Sequence, residues 1–203
     1  MEKEKLRNGC INMTIKLTSP FTENKIRKLK VGDMVEITGK VFTARDAVHQ
    51  SLHSGKYPLP VNWKDQIIYH CGPVVIKEND KWVVKAAGPT TSISEEPYEY
   101  NVIKNFGVRG IIGKGGMGAR TLAACKEFGC VYLHAIGGAA QIYAAKITNV
   151  NGVYLYDEVG APEAIWDFEV KDFPVVVTMD SNGSSLHDKV LKQSTQKLSL
   201  ITK

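Results

Sequence analysis

No apolar run in the 203 residues approaches the length of about 18 that a spanning helix needs, and the opening Met-Glu-Lys-Glu-Lys-Leu-Arg has no apolar core of the secretory kind. The expected compartment is the cytoplasm, with no membrane partner. Cysteine is scarce. Cys10, Cys71, Cys125 and Cys130 form no C-x-x-C pair and no disulfide-framework spacing, so buried, inert thiols are expected. A strong charge bias is missing as well: 26 Lys and Arg against 21 Asp and Glu leave a formal net charge of +5. The excess is spread along the chain, except that Asp188 to Lys203 holds four lysines and one acid. Without a clustered basic face interleaved with aromatics, a nucleic-acid partner is not expected. No internal repeat and no linker divides the sequence. A hydrophobic content of 43% suffices for a core, so a single α/β domain over residues 1–203 is expected, with its core at about 12–185 and a polar tail at 186–203.

What the chain does have is a run of glycines at one informative place. From Val108 the sequence reads Val-Arg-Gly-Ile-Ile-Gly-Lys-Gly-Gly-Met-Gly: a short apolar strand, then Gly113, Gly115, Gly116 and Gly118 around Lys114, then a helical pattern. Such a junction aims backbone N–H groups and the positive end of a helix at one spot, which suits a phosphate or carboxylate. The run also satisfies G-x-G-x-x-G at Gly113, Gly115 and Gly118. The acid that would hold a ribose about 20 positions on is nevertheless missing between Gly129 and Lys146. Lys114 follows the first glycine instead of preceding a Ser or Thr, which is not a Walker A loop. Glycines at a strand-to-helix turn also serve close packing alone, and that reading stays open.

Around this run the pattern alternates. Residues 12–18, 33–38 and 66–71 read as strands, Thr22 as the cap of a short helix, and Asn79-Asp80 as the turn of a hairpin joining Val74-Val75-Ile76 to Trp82-Val83-Val84. Helices near 97–106, 117–128 and 138–145 alternate with strands at 108–112 and 130–135, which is a βαβ signal with parallel pairing. Two closing strands are expected at 165–170 and 175–179, and after Ser181 a frayed or partner-docking tail.

Three further segments carry candidate chemistry. Thr43 reads as a helix cap, with Asp46 three residues on. Arg45 and His49, four apart, share a helical face where a guanidinium and an imidazole converge on one ligand; pairing of Arg45 with a surface acid is the alternative. Gly88-Pro89-Thr90-Thr91-Ser92 sets three hydroxyls after a rigid turn, for capping or for a substrate carboxylate. Tyr132 to Ala140 forms a second strand-to-helix turn with paired glycines, in which His134 reads as a structural residue.

Taken in order, Gly32-Asp33 to Gly39, Thr43 to His49, Gly88 to Ser92, Ile112 to Gly118, Val131 to Ala140 and Asp172-Phe173-Pro174 resemble the beta subunit of class I fumarase and L(+)-tartrate dehydratase, over roughly residues 14–185. The resemblance implies a swivelling β/β/α domain with mixed sheets and flanking helices. It implies a hydro-lyase acting on a small dicarboxylate, fumarate to (S)-malate first and L(+)-tartrate second. An alpha subunit would supply a four-iron four-sulfur cluster, and this chain would bind none alone. A hetero-oligomer follows, with a homodimer as the form of the isolated chain. Carried onto this sequence, the catalytic residues would be Thr90, Lys114 and Arg45. Thr91 and Gly115 would join them in binding substrate, and Asp46 and His49 would support. No metal ligand is expected in this chain. The family pattern Gly-Pro-Thr-Thr-Ser-x-Arg-Met is broken here, because Ser94 and Glu95 replace its arginine and methionine. A serine cannot replace a bidentate cation, and a glutamate would repel a dicarboxylate. Arg109 or Arg120 substitutes, or the substrate differs, or the chain is a non-catalytic anion-binding module of the same fold.

Overall fold

The computed structural model describes residues 14–201. Cys10 and the start of the first expected strand lie outside that span. In chain order the elements are β1 (Ile15–Thr18), α1 (Glu23–Ile26), β2 (Met34–Thr43), α2 (Asp46–Ser54), β3 (Ile67–Tyr69), β4 (Val74–Glu78) and β5 (Lys81–Ala86). A 3-10 turn over Ser92–Glu95 then leads into α3 (Glu96–Phe106), β6 (Gly110–Gly113), α4 (Ala119–Phe128), β7 (Val131–His134) and α5 (Ala140–Ala144). The last four are β8 (Ile147–Tyr154), α6 (Tyr156–Val159), β9 (Ile165–Met179) and α7 (Leu186–Ile201).

Strand alternation sorts the apolar residues into two cores, because successive side chains point to opposite faces. Ile67, Tyr69, Ile112, Val131 and Leu133 join one cluster with Val35, Ile37 and Phe173. Their neighbours Ile68, Ile111 and Tyr132 join the other, which Val48 of α2, Val102 and Ile103 of α3, and Ala124 and Cys125 of α4 cover. β1, β2, β3, β6 and β7 run parallel in that order. β9 then pairs antiparallel with β7, β8 and β2, so that β2, β3, β6, β7 and β9 close into a five-stranded ring within a mixed sheet. The hairpin β4–β5 stands apart and turns, as expected, on Asn79 and Asp80, both at positive φ.

The structure revises three readings. The two closing strands are one, because Asp172 takes φ 50° and kinks the chain while pairing continues through Phe173↔Ile37 and Pro174↔Glu36. Thr43 is no helix cap: its hydroxyl donates to Ala164 O (3.0 Å) and accepts from Trp166 N (2.9 Å), stapling β2 to β9, while Glu163 accepts from Ala47 N in the first turn of α2. The tail is not frayed but a regular helix, α7, with no buried residue and docked at its start through His187, which leaves the partner-docking reading as it stood. Among the described residues, no helix is long and apolar enough to cross a membrane. Cys71, Cys125 and Cys130 are buried and free, and burial pushes the Cys71 thiol up to about 12.

Candidate active site at the strand ends

Parallel β2, β3, β6 and β7 release the chain on one side, the side where open α/β sheets place ligands. Beyond β3 the loop carrying Thr90 slips between two strand ends and adds a rung. Thr90 N donates to His70 O (2.8 Å), Lys114 N to Thr90 O (3.1 Å), and Ser92 N to Lys114 O (3.0 Å). The backbone of this rung is satisfied, but the Thr90 hydroxyl is buried without a partner. Leaving such a group unpaired costs about 1–3 kcal/mol, so it marks a position that a ligand would complete. Exposed Thr91 lies against Gly115, whose φ of 83° is one that favours glycine. The Lys114 chain runs along Gly137, its Cδ 3.5 Å from where a Cβ there would stand. Thr90, Thr91, Lys114 and Gly115 are therefore brought together.

Arg45 borders the same extension from the other side. A Cβ at Gly72 would stand 2.6 Å from Arg45 Nη1, so the glycine makes room for the guanidinium. Cys71 bridges to Pro89, which links this segment to the Thr90 loop. Arg45 Nη1 pairs with Glu163 Oε1 at 3.0 Å, and its Nε is buried without a partner. Asp46 begins α2 beside it.

The N-terminus of α4, part of the expected anion cradle, is already filled. Glu96 accepts from Gly118 N (2.7 Å), Arg120 N (3.0 Å), Thr121 N (3.2 Å) and the Thr121 hydroxyl (2.6 Å). Of the expected cradle, only Lys114 and the loop before the helix are left outside the hold of Glu96. Gly113 answers to packing: a Cβ there would stand 1.9 Å from Ser92 Oγ. Gly116 is covered by the imidazole of His187, 2.5 Å from its virtual Cβ. Burial lowers the pKa of His187, and also that of His134 at the end of β7, whose Nδ1 has no partner.

The broken arginine motif has a definite geometry. Ser94 is exposed and its hydroxyl reaches Thr91 O (3.1 Å) and Glu95 Oε2 (2.9 Å). Glu95 does not face the substrate surface, contrary to the expected repulsion: it turns inward, 1% exposed, and burial raises its pKa. Arg109 cannot stand in for the missing cation, because it precedes β6 at the opposite end and is held there by Asp65, Glu23 and two backbone carbonyls. Arg120 lies exposed on α4.

Beneath the rung lies a polar cluster that the sequence reading caught only through His49. His49 Nδ1 donates to Arg45 O (2.9 Å) and its Nε2 meets Glu99 Oε2 (3.0 Å); His70 Nε2 meets the same oxygen at 3.2 Å. His70 Nδ1 lies 2.9 Å from Ser92 Oγ, which also accepts from the Tyr132 hydroxyl (2.9 Å). Burial would raise the Glu99 pKa, but the charge and hydrogen bond of His49, with the imidazole of His70 close by, hold it down at about 2. Burial likewise opposes the charge on His49, and Glu99 overcomes it and raises the pKa. His70 carried a faint signal, a histidine ending an apolar strand run; Glu99 and Glu96 carried none, since their partners are distant in sequence.

Fold and site together define an α/β scaffold, a mixed sheet with a closed five-stranded ring, that carries a polar rung with an unpartnered threonine hydroxyl at the ends of its parallel strands. The family model described as the fumarase C-terminus matches residues 2–190, and the chain belongs to that family. It is 58% identical over 186 residues to a Geobacillus stearothermophilus protein named "Putative fumarate hydratase class I", covering 91% of this chain and 36% of that one. It is 43% identical over 183 residues to a Methanocaldococcus jannaschii protein named "Putative L(+)-tartrate dehydratase subunit beta", covering 88% and 93%. With the Escherichia coli L(+)-tartrate dehydratase subunit beta the identity is 36% over 171 residues, 84% and 85% of the two chains. The chain thus spans about a third of the first relative and nearly all of the second.

Proposed function

We propose that this chain is the beta part of an iron-sulfur hydro-lyase that adds or removes water across a small dicarboxylate, with fumarate to (S)-malate as the leading reaction and L(+)-tartrate as the alternative. The observation that carries the reading is the unpartnered Thr90 hydroxyl set between Lys114 and the segment that packs on Arg45. Membership of the fumarase C-terminal family supports it, and so do the relatives' names, which divide between the two substrates. Taking the proton beside a carboxylate builds negative charge on that carboxylate, and fixed cations aimed there lower the barrier. Lys114 and Arg45 supply the cations. Glu163 holds one edge of the guanidinium and leaves the rest for the substrate, and Thr90 donates its hydroxyl to a substrate oxygen.

A four-iron four-sulfur cluster, on the alpha subunit in this reading, would polarise the leaving hydroxyl as a Lewis acid. Cys71 packs in one apolar core and Cys125 and Cys130 in the other, which supports assigning the cluster ligands to the alpha subunit. The swivelling motion of the domain, its cytoplasmic location and its assembly with the alpha subunit belong to the same proposal. The chain is to be reconstituted anaerobically with an alpha subunit and assayed on fumarate, (S)-malate and L(+)-tartrate. Turnover is expected on the first two. A stable complex inactive on all three would overturn the reading in favour of a non-catalytic anion-binding module, which exposed Ser94 at the family's arginine position favours.

A further inference from the structure

We propose that His49, His70 and Glu99 form a closed site for one zinc-type divalent ion, separate from the substrate surface. The three come from α2, the end of β3 and α3, and each is fully buried. Their ligand atoms all lie within 4.8 Å of one another. Both imidazoles turn Nε2 toward Glu99 Oε2, at 3.0 and 3.2 Å. Bonds of about 2.0–2.2 Å to zinc set neighbouring ligand atoms about 3.3 Å apart around a tetrahedral ion, so the two histidine–glutamate spacings already match, and metal binding would draw the two imidazoles together from within their 4.8 Å limit.

The surroundings are those of a ligand set. A metal-bound histidine usually has its other ring nitrogen held by an oxygen, and here both do: His49 Nδ1 by Arg45 O and His70 Nδ1 by Ser92 Oγ, each at 2.9 Å. Two of the converging atoms, His70 Nε2 and Glu99 Oε1, are buried with no hydrogen bond. A bidentate Glu99 would use the second of these as the fourth ligand. Two imidazole nitrogens with one carboxylate suit zinc or cobalt and not calcium or magnesium, which take oxygen ligands. Glu95 Oε2 lies 4.0 Å from His70 Nδ1, on the far side of that ring, and stays outside the ligand set.

The competing occupant is a proton. His49 already donates through Nδ1, so facing a carboxylate with Nε2 requires either a second proton or a cation. The assignment rests on these residues alone and not on the hydro-lyase reading.

The full chain, made without a polyhistidine tag and stripped with EDTA, is to be titrated with Co2+ and, because the site is enclosed, also refolded in its presence. The expected result is a visible d–d band that saturates at about one ion per chain. Zn2+ should displace it, with a rise in Tm on metal addition. Glu99→Gln should abolish the band, and Ser92→Ala, which frees one imidazole from its outer partner, should weaken cobalt binding by about 10- to 100-fold while the fold persists. Folded wild-type protein with neither band nor Tm shift after both treatments overturns the site. So does a band unchanged in both Glu99→Gln and Ser92→Ala; if Glu99→Gln does not fold, Ser92→Ala decides alone.

Discussion

The two ends of the parallel strands differ in how completely their polar groups are satisfied. At the end where the strands begin, the Arg109 guanidinium is spent on Asp65 (2.8 Å), Glu23 (3.4 Å) and the carbonyls of Phe128 and Gly129. At the end where they finish, the Thr90 hydroxyl, Arg45 Nε and His134 Nδ1 are buried without partners. The Arg109 end keeps unpartnered atoms too, Gln66 Oε1 and Trp63 Nε1, but its cation is spent, whereas at the other end a guanidinium nitrogen stays unpaired. Under the proposed function this difference is one between a cation held for stability at one end and groups held for a ligand at the other.

The largest expected effect that tests this contrast is Lys114→Met. In the reconstituted complex kcat/KM should fall about 1000-fold, roughly 4 kcal/mol of transition-state stabilisation, with Tm unchanged. Thr90→Val should cost about 100-fold in kcat/KM and leave stability equal or higher, because it removes a buried hydroxyl that has no partner. Urea unfolding reads the second half of that expectation, and a clear loss of stability would place Thr90 in the scaffold instead. Arg109→Met should show the inverse pattern, a loss of about 2 kcal/mol in unfolding free energy with the kcat/KM of the folded fraction retained. Glu96→Ala should cost about 1–2 kcal/mol by uncapping α4, detectable as faster amide exchange in residues 118–121. The smallest effect concerns α7. The His187 pKa is lowered by burial and by His134, while Asp188 acts the other way, and its neighbours are Tyr132, Thr178 and Gly116. The folded protein then binds this proton less readily than the unfolded chain. Docking of the start of α7 should weaken as pH falls below about 6.5, and amide exchange of residues 186–190 should report it.

Much of this was legible where the cause is local. Short apolar runs announced β3, β6 and β7, and Asn79-Asp80 announced the hairpin, because both are written in adjacent residues. The Thr90 and Lys114 segments were legible as motifs, although nothing in the sequence said that the one would pair as a rung with the other. The closure by β9 was not legible. Asp172 and Pro174 look like a turn, and only the long-range partners Ile37 and Glu36 show the strand passing through. Glu96 was invisible for a similar reason: it caps a helix 22 positions away, and no spacing rule reaches that far. Glu95 misled because a sequence records which residue replaces another and not the direction in which it turns.

The closing strand also has a meaning for biosynthesis. β2, β3, β6 and β7 all leave the ribosome before Ile165–Met179 does, so the nascent chain passes through a stage in which β2 and β7 are open edges that only later synthesis can cover. The ring is topologically incomplete until Met179 has been made, and that interval is when it most needs protection from pairing with another copy of itself.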